Sequence, residues 1–317
     1  MGATSLSPEG RLTVEVEGRR VGLSNLEKVL YPEAGFVKGR VIDYYRRVAP
    51  VLLPHLADRP VTVVRHPDGV ASPGFFEKQA PAGTPSWVRT ARMASGGGTS
   101  SRSAVEHVVV DDLPTLVWLA NLAAIELHVP MWRLDGRDRP CGPDAAVFDL
   151  DPGAPADIVD CCRVALAVRA HLDGQGLELW PKTSGAKGLQ CYAPLAGSQP
   201  WEEVHSYARS VAETLARAEP ELVVSVQRKS ARTGRVLVDW SQNHTAKTTV
   251  AVYSLRARPS PTVSTPLRWE EVTAVAEGAA PETLRFVAPE ALRRVSQEGD
   301  LFAPVLAGTS RAPGPGA

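Results

Sequence analysis

Hydrophobic and polar positions alternate or recur at helical spacing in separate runs along the chain, and each run predicts a short element. Residues 11–22 alternate around Glu17 and Gly18, which predicts a β-hairpin. Residues 39–53 place apolar side chains every three or four positions, which predicts an amphipathic helix. Further helices are predicted at residues 24–31 (opened by a capping box at 24–27), 113–128, 156–172 and 201–217. Further strands are predicted at residues 60–66, 86–93, around Asp149, and at 177–182, 189–193, 222–227, 235–240 and 248–253.

Strands and helices interleave irregularly, which favours an α+β fold with a mixed central β-sheet flanked by helices. We expect a single domain over residues 1–300, with a catalytic core from about 60 to 270 and a helical segment from about 270 to 300. The Gly/Ser-rich run at 94–104 predicts a flexible hairpin tip, and a Pro-rich linker covers 259–266. Residues 306–317 are predicted to be a disordered tail.

Composition narrows the class of protein. The chain has 317 residues, of which 44% are hydrophobic and 22% charged, as in ordinary globular proteins. No apolar run approaches the roughly 18 residues of a membrane span, and the N-terminus has no signal-peptide pattern, so a cytoplasmic protein is expected. The four cysteines form no CxxC pair, which favours reduced thiols over a zinc knuckle. A net charge of +0 argues against a protein that coats nucleic acid non-specifically.

Two carboxylates, Asp149 and Asp151, are separated by one residue in an apolar segment that ends at Pro152. In a strand they share one face, with Cα atoms about 7 Å apart. Asp239 ends a second β-branched run. Although Asp151 alone could cap a turn, a carboxylate inside a buried strand needs a partner, and oxygen ligands suit Mg²⁺ or Mn²⁺. The three acids therefore predict a site for two divalent ions that performs phosphoryl transfer.

Basic residues and a glycine loop suit a polyanionic substrate. The loop at 182–189 places two glycines around Lys187, which lets backbone N–H groups approach phosphate oxygens, although the spacing is not that of a Walker A loop. A tight turn with an exposed lysine explains this loop equally well. Seven cations surround the lone acid Asp239, which suits a nucleoside triphosphate: Arg228, Lys229, Arg232, Arg235, Lys247, Arg256 and Arg258.

Three other features have both structural and functional explanations. His128 ends the predicted apolar helix and could simply satisfy its C-terminus. Phe75 and Phe76 follow a Pro-Gly pair, so one of them is expected to be exposed for stacking on a base. Asn25 and Lys28 lie in the first predicted helical turn. They could hold a phosphate, or they could only cap the helix at the protein surface.

Eight ordered motifs together give the chain a family resemblance. It resembles the polymerase domain of bacterial DNA ligase D, a primase-like polymerase of the archaeo-eukaryotic primase superfamily that acts in non-homologous end joining. The resemblance covers nearly all of residues 20–270. The motifs lie at residues 23–32 (LSNLEKVLYP), 75–78 (FFEK), 126–132 (ELHVPMW), 148–153 (FDLDPG), 183–189 (TSGAKGL), 238–243 (VDWSQN), 247–249 (KTT) and 253–258 (YSLRAR).

The resemblance implies a primase-like polymerase fold and a role for each matching position. Asp149, Asp151 and Asp239 would be both the catalytic and the metal-binding residues. The incoming nucleotide, with ribonucleotides and Mn²⁺ preferred, would be held by His128, Ser184, Lys187, Gln190, Arg232 and Arg256. DNA would be contacted by Asn25, Lys28 and Lys38 at the 5′-phosphate of a gap or broken end, and by Arg65, Phe75 and Phe76 at the templating base. The 5′-phosphate-binding part would lie within about residues 1–60, and Ku and a separate DNA ligase are implied partners.

The chain departs from the family pattern at Gln190, where the family's glycine loop runs on to a histidine. Glutamine donates a hydrogen bond but never carries a charge, so weaker triphosphate binding or slower turnover is expected. The ligase and nuclease domains of many relatives are absent from the sequence, which favours a stand-alone polymerase or one part of a split system. Two alternatives to gap filling stay open: a primase or damage-tolerant polymerase, and an end-bridging DNA-binding module of low activity.

Overall fold

A computed structural model of the chain describes residues 3–6, 12–94 and 104–314. Most of the Gly/Ser-rich loop predicted at 94–104 therefore lies outside the described residues. The chain forms two compact units, each assembled from separate segments. The first unit comprises Met1–Val129, Tyr253–Val263 and Val287–Gly299, and the second comprises Pro130–Val252, Ser264–Phe286 and Asp300–Ala317. The single domain expected over residues 1–300, with limits near 60 and 270, stays a prediction.

Helices and strands mix throughout the chain. The α-helices are α1 (Lys38–Leu56), α2 (Leu113–Asn121), α3 (Ile158–Asp173), α4 (Trp201–Ala218), α5 (Trp269–Ala276) and α6 (Ala288–Glu298). The strands are β1 (Ala3–Leu6), β2 (Leu12–Val16), β3 (Arg19–Leu23), β4 (Val29–Tyr31), β5 (Phe36–Val37), β6 (Pro60–Arg65), β7 (Phe75–Glu77), β8 (Thr90–Ala94), β9 (Ala104–Val109), β10 (Ala124–Val129), β11 (Trp132–Leu134), β12 (Pro140–Pro143), β13 (Ala145–Pro152), β14 (Trp180–Thr183), β15 (Leu189–Pro194), β16 (Val223–Val224), β17 (Val236–Asp239) and β18 (Thr249–Val250). The expected α+β class is confirmed.

The second unit is built on a mixed sheet in the order β14-β15-β13-β17-β16, in which only β16 and β17 run parallel. Helices α3, α4 and α5 share a hydrophobic core with one face of this sheet. The side chains of Phe148 and Leu150 on β13 belong to that core. Because successive side chains of a strand point to opposite faces, Asp149 and Asp151 lie on the face away from the core.

The first unit is built on antiparallel strands. β6 pairs with β10 on one side and with β7 and β9 on the other, and β9 also pairs with β8. Helices α1 and α2 pack against each other, and α6 packs on α1. The predicted hairpin at 11–22 is confirmed as β2 and β3, whose turn uses positive φ at Glu17 and Gly18.

Two predicted helices are wrong. Residues 24–28 form a turn in which Asn25 has φ +52° and accepts a hydrogen bond from the Lys28 backbone, so this segment has no helical turn. The helix predicted over 113–128 ends at Asn121, Ala123 takes φ +58°, and the chain continues as strand β10. An unbroken apolar run fits a buried strand as well as a buried helix, and here it contains one of each.

The last described residues differ from the disordered tail expected from residue 306. Residues Ala303–Ala307 form a 3₁₀ turn, and Ala312 is buried with its backbone N–H and C=O both hydrogen-bonded to the Gln199 side chain. This part of the segment packs because Ala312 joins the hydrophobic core of the second unit and the Gln199 side chain satisfies its backbone. Among the described residues, no helix combines the length and the apolar character needed to cross a membrane.

Candidate active site

Four polar side chains form a row across the sheet of the second unit. On neighbouring strands, Lys182 pairs with Gln190, Gln190 pairs with Asp149, and Asp149 pairs with Asp239. Side chains directly opposite each other on antiparallel strands have Cβ atoms about 5 Å apart. The register therefore brings together two of the three predicted catalytic acids, and Asp151 follows two residues along the same face.

Burial and like charge disfavour the ionised form of Asp149. Burial raises the pKa of this carboxyl, and so do the neighbouring charges of Asp151 and Asp239. A hydrogen bond from the Gln190 side chain and the charge of Lys182 act in the opposite direction and lower it. A cation placed among these three acids would relieve the repulsion, which is the electrostatic setting expected of a metal site.

Asp239 is held by several donors. Its Oδ1 accepts from Gln227 Nε2 at 2.7 Å and from the backbone and hydroxyl of Ser241 at 2.9 and 2.6 Å, and its Oδ2 accepts from Gln242 Nε2 at 3.0 Å. One of these bonds caps the 3₁₀ helix Trp240–Asn243. Among the residues that the structure describes, no group of three His, Cys, Asp or Glu side chains is arranged as a ready metal cluster. The carboxylate oxygens of the three acids and their strand register suit a hard divalent cation. The orientation of the Asp239 carboxylate in this structure is set by its four hydrogen bonds.

Gln190 lies between a buried cation and the central acid. It is 4% exposed, and its Oε1 accepts a 2.5 Å hydrogen bond from Lys182 Nζ. Lys182 is 1% exposed and also donates to the Val250 carbonyl at 3.0 Å and to Ser264 Oγ at 2.7 Å. The sequence placed Gln190 among the nucleotide-binding residues, but here its Oε1 is occupied by Lys182 and its partner on the neighbouring strand is Asp149.

The glycine loop is a closed turn between β14 and β15. The Ser184 hydroxyl accepts from the backbone N–H groups of Ala186 and Gly188, both at 3.2 Å, and the Ser184 N–H donates to the Gly188 carbonyl. Gly188 has no room for a side chain, because a Cβ would overlap the Leu150 carbonyl. Lys187 is exposed at the tip of the loop. The predicted loop is therefore present, with its serine used to shape it.

Arg232 is tied to Asp239 through an amide. Its Nη2 donates to the carbonyl and to Oε1 of Gln227 at 2.7 and 2.8 Å, and Gln227 Nε2 donates to Asp239. Gly153 fixes the position of this segment, since a Cβ there would overlap the Arg232 carbonyl. Nε of Arg232 is buried and donates to no acceptor among the described residues. This guanidinium is thus held by Gln227, and its buried Nε is left unsatisfied among the described residues.

In the first unit, Glu126 joins two of the predicted nucleotide-binding residues. Glu126 Oε2 lies 2.9 Å from His128 Nε2, and Oε1 lies 3.1 Å from Arg256 Nε and accepts from the Ala257 backbone at 2.9 Å. Burial raises the pKa of Glu126, but the hydrogen bond with His128, the charge of Arg256 and the backbone bond lower it to about 2. His128 lies on β10, opposite Thr62 of β6, rather than at a helix end.

Two phenylalanines of β7 are exposed, as the sequence predicted for one of them. Phe75 is 43% and Phe76 69% exposed. The Phe76 ring meets the His128 ring edge-on at 5.7 Å, and the Arg65 guanidinium lies 5.4 Å from the Phe75 ring centre. Arg65 also donates to Glu77 Oε2 at 2.9 Å. Exposed aromatic rings backed by a cation form a suitable platform for stacking a base.

Of the three predicted phosphate contacts, Asn25 and Lys28 lie on one turn of the first unit, and Lys38 begins α1 beside that turn. The Lys38 backbone donates to the Lys28 carbonyl, and the Lys28 backbone donates to that of Asn25. Burial lowers the pKa of Lys38 to about 8, helped by the charge of Lys28, and Lys38 Nζ donates to the Asn121 carbonyl at 2.8 Å. Lys28 is exposed and pairs with Asp68 at 2.9 Å.

The sequence reasoning missed Glu126, Lys182 and Gln227. Alternation would have found Glu126 had residues 124–129 been read as a strand, because Glu126 and His128 then share a face. Lys182 carried a local signal, a lysine inside a short buried strand. Gln227 carried none, since its role depends on the positions of Arg232 and Asp239.

Comparisons with known proteins identify the family of this chain. Residues 37–302 match the family model "LigD, primase-polymerase domain". The multifunctional non-homologous end joining protein LigD of Mycolicibacterium smegmatis is 43% identical over 287 residues, 90% of this chain and 36% of the relative. The bifunctional LigD of Bacillus subtilis is 33% identical over 254 residues, 80% of this chain and 39% of the relative. The chain thus spans little more than a third of the length of these curated relatives.

A solved structure covers nearly the same extent as this chain. The polymerase domain of Mycobacterium tuberculosis ligase D, in complex with DNA, superposes with a TM-score of 0.84 at 40% identity over 92% of this chain and 99% of that domain. The expected polymerase fold is confirmed. The LigD polymerase domain is a nucleotidyltransferase of end-joining DNA repair, and such enzymes use divalent metal ions. The chain belongs to the LigD primase-polymerase domain family.

Proposed function

We propose that this chain adds nucleotides to a primer strand under the direction of a template, filling gaps at broken DNA ends in non-homologous end joining. The observation that carries the proposal is the register that places Asp149 directly opposite Asp239, in a chain of the LigD polymerase family. Asp151 shares their face of the sheet. Carboxylates that share one face of a sheet are suited to hold the divalent ions that nucleotidyl transfer uses.

Asp149, Asp151 and Asp239 are proposed to hold two divalent ions, Mn²⁺ or Mg²⁺. When bound, such ions lower the pKa of a primer 3′-hydroxyl and neutralise the departing pyrophosphate. The acids are suited to this role because a bound cation would relieve their mutual repulsion. Asp239 would exchange some of its present donors for the ion.

Lys187 and Arg232 are proposed to contact the triphosphate. Lys187 is exposed at the tip of the glycine loop, and Arg232 has a buried Nε without an acceptor among the described residues. A guanidinium presents several donors in a fixed plane, which suits phosphate oxygens. The nucleotide roles assigned to His128, Ser184 and Arg256 stay predictions, and Ser184 would act through the shape of the loop.

DNA contacts are proposed on the first unit. Asn25, Lys28 and Lys38 would meet a 5′-phosphate, and the exposed rings of Phe75 and Phe76 would stack on a base, with Arg65 behind Phe75. Ku and a DNA ligase are the proposed partners at a break in the bacterial cytoplasm. Nucleoside triphosphates, with ribonucleotides preferred, are the proposed small substrates.

A primer-extension assay on a one-nucleotide gap tests this function. The purified chain is compared on gaps with and without the downstream 5′-phosphate, with ribo- and deoxyribonucleotides, and with Mn²⁺ and Mg²⁺. Asp149→Asn is expected to abolish extension. Asp173→Asn is the matched control, because Asp173 is exposed at the end of α3 and forms a surface ion pair with Arg169.

The outcomes separate the candidate functions. Templated addition that needs Asp149 and is stimulated by the 5′-phosphate supports gap filling. Synthesis on an unprimed single strand would indicate a primase instead. Tight binding to the phosphorylated gap without any addition, by a folded protein in either metal, would contradict the proposal and leave an end-bridging module.

A further inference from the structure

The amide of Gln190 is held in a defined orientation by Lys182. An ammonium group has three donors and no acceptor, so only Oε1 of the glutamine can face it. The 2.5 Å contact is therefore made by Oε1. The NH₂ group is left on the opposite side, toward strand β13, where Asp149 is the register partner of Gln190. The two ends of one amide thus join a buried cation to the central acid of the site.

Lys182 itself is well fixed. Its three donors reach Gln190, the Val250 carbonyl and Ser264 Oγ, and all four residues belong to the second unit. The Tyr192 ring lies 5.4 Å from the ammonium. The fixed Lys182 ammonium also fixes the orientation of the Gln190 amide, because flipping the amide would place its NH₂ group against the N–H groups of the lysine.

Resting on the proposed function, we propose that Gln190 is a positioning residue, oriented by Lys182, that holds the Asp149 carboxylate for metal binding. The amide acts as a neutral group with one acceptor and one donor. It also separates the Lys182 ammonium from Asp149, so that Asp149 forms no direct ion pair with Lys182 and its oxygens stay available for a metal ion. Partners of this kind fix ligand orientation, and their loss typically costs about 10- to 100-fold in metal affinity.

The same geometry revises the expectation drawn from the sequence at this position. An imidazole at position 190 has two ring nitrogens, so that one can accept from Lys182 while the other donates to Asp149. Glutamine supplies the same pair of functions. The absence of a charge at Gln190 is then no reason for weak activity.

Direct Mn²⁺ binding tests the role without relying on turnover. Free Mn²⁺ is titrated with the full chain in the absence of DNA and followed by electron paramagnetic resonance. Gln190→Met, which keeps the volume and removes both hydrogen bonds, is expected to raise the Mn²⁺ dissociation constant at least tenfold. Gln190→His is expected to restore it to within threefold of the unaltered chain.

Gln199→Met is the matched control. Gln199 is 6% exposed in the same unit and is hydrogen-bonded at both ends, but to Ala312 rather than to the row. It is expected to lower the melting temperature and leave Mn²⁺ binding within twofold. If Gln190→Met does not fold, Gln190→Asn replaces it, since an amide one methylene shorter cannot reach both partners.

Two results would overturn the inference. Unchanged Mn²⁺ binding in folded Gln190→Met would mean that Asp149 needs no positioning by Gln190. Equal losses of Mn²⁺ affinity in Gln190→Met and Gln190→His would mean that the hydrogen bonds to Lys182 and Asp149 do not determine the affinity. Asp149→Asn distinguishes this failure from that of the proposed function. If Mn²⁺ binding ignores Asp149 as well, the metal site itself is wrongly placed and both proposals fail.

Discussion

Replacing Glu126 by glutamine removes one negative charge from the cluster that holds His128 and Arg256, while keeping its shape. The pKa of Glu126 lies at about 2, against the ordinary glutamate value of 4.5. A shift of this size corresponds to about 3 kcal/mol of stabilisation of the ionised form. We therefore expect Glu126→Gln to lower the free energy of unfolding at pH 7 by about 2–3 kcal/mol.

The pH dependence gives the sharper test. Because folding lowers the pKa, the stabilisation is fully present above pH 4.5 and is lost as the pH falls toward 2. Urea unfolding at pH 7, 5 and 3.5 measures the difference in free energy of unfolding between the unaltered chain and Glu126→Gln. This difference, the gap, is expected to be constant down to pH 5. The gap should narrow by about 1 kcal/mol at pH 3.5.

Glu77→Gln is the matched control in the same unit. Glu77 pairs with Arg65 at 2.9 Å, but its side chain is 20% exposed, so its loss should cost less than about 1 kcal/mol. A gap for Glu126→Gln that stays below about 1 kcal/mol at pH 7, or that is the same at pH 7 and 3.5, would refute the reasoning. In the extension assay, the same variant should raise the KM for the nucleotide more than it lowers kcat, since it loosens two predicted binding residues.

Three further predictions concern DNA binding and the glycine loop. Fluorescence anisotropy should show the affinity gained from a 5′-phosphate falling as the pH rises from 7 to 9, because Lys38 loses its proton near pH 8, and Lys38→Arg should remove this dependence. Asp68→Asn should tighten binding to phosphorylated ends by up to about fivefold by releasing Lys28 from its ion pair, whereas Lys28→Ala should weaken it. Gly188→Ala should lower stability by about 1–3 kcal/mol in thermal melts, because its Cβ would overlap the Leu150 carbonyl.

Each of these has an outcome that contradicts it. A pH-independent phosphate effect in the unaltered chain would remove Lys38 from the phosphate contacts. Equal weakening by Asp68→Asn and Lys28→Ala would mean that the pair acts as a unit, rather than that the acid competes with phosphate. An unchanged melting temperature for Gly188→Ala would show that the loop can shift at no cost.

Local pattern was sufficient for the strand that carries the acids. Alternation placed Asp149 and Asp151 on one face of β13, and the apolar residues between and before them bury the other face. The glycine loop was equally visible, because two glycines around Lys187 lie between two predicted strands. The family motifs then placed the chain in its family, as the comparisons confirm.

The apolar segment 113–128 shows where local pattern is insufficient. A run without polar interruptions has no period, so helix and strand are equally consistent with it. The positive φ at Ala123 and the pairing of β10 with β6 divide the segment into one of each. That division moved His128 from a helix end to a strand and brought Glu126 beside it.

What the sequence determined by itself is the set of chemical groups and the face each one takes on its own strand. Which strands become neighbours, and in which register, was decided only by the tertiary structure. Asp239 lies opposite Asp149, and Gln190 lies between Asp149 and Lys182, because β13 pairs with β17 on one side and β15 on the other. Such pairings join residues up to 90 positions apart in sequence through backbone hydrogen bonds, and no local pattern of side chains encodes them.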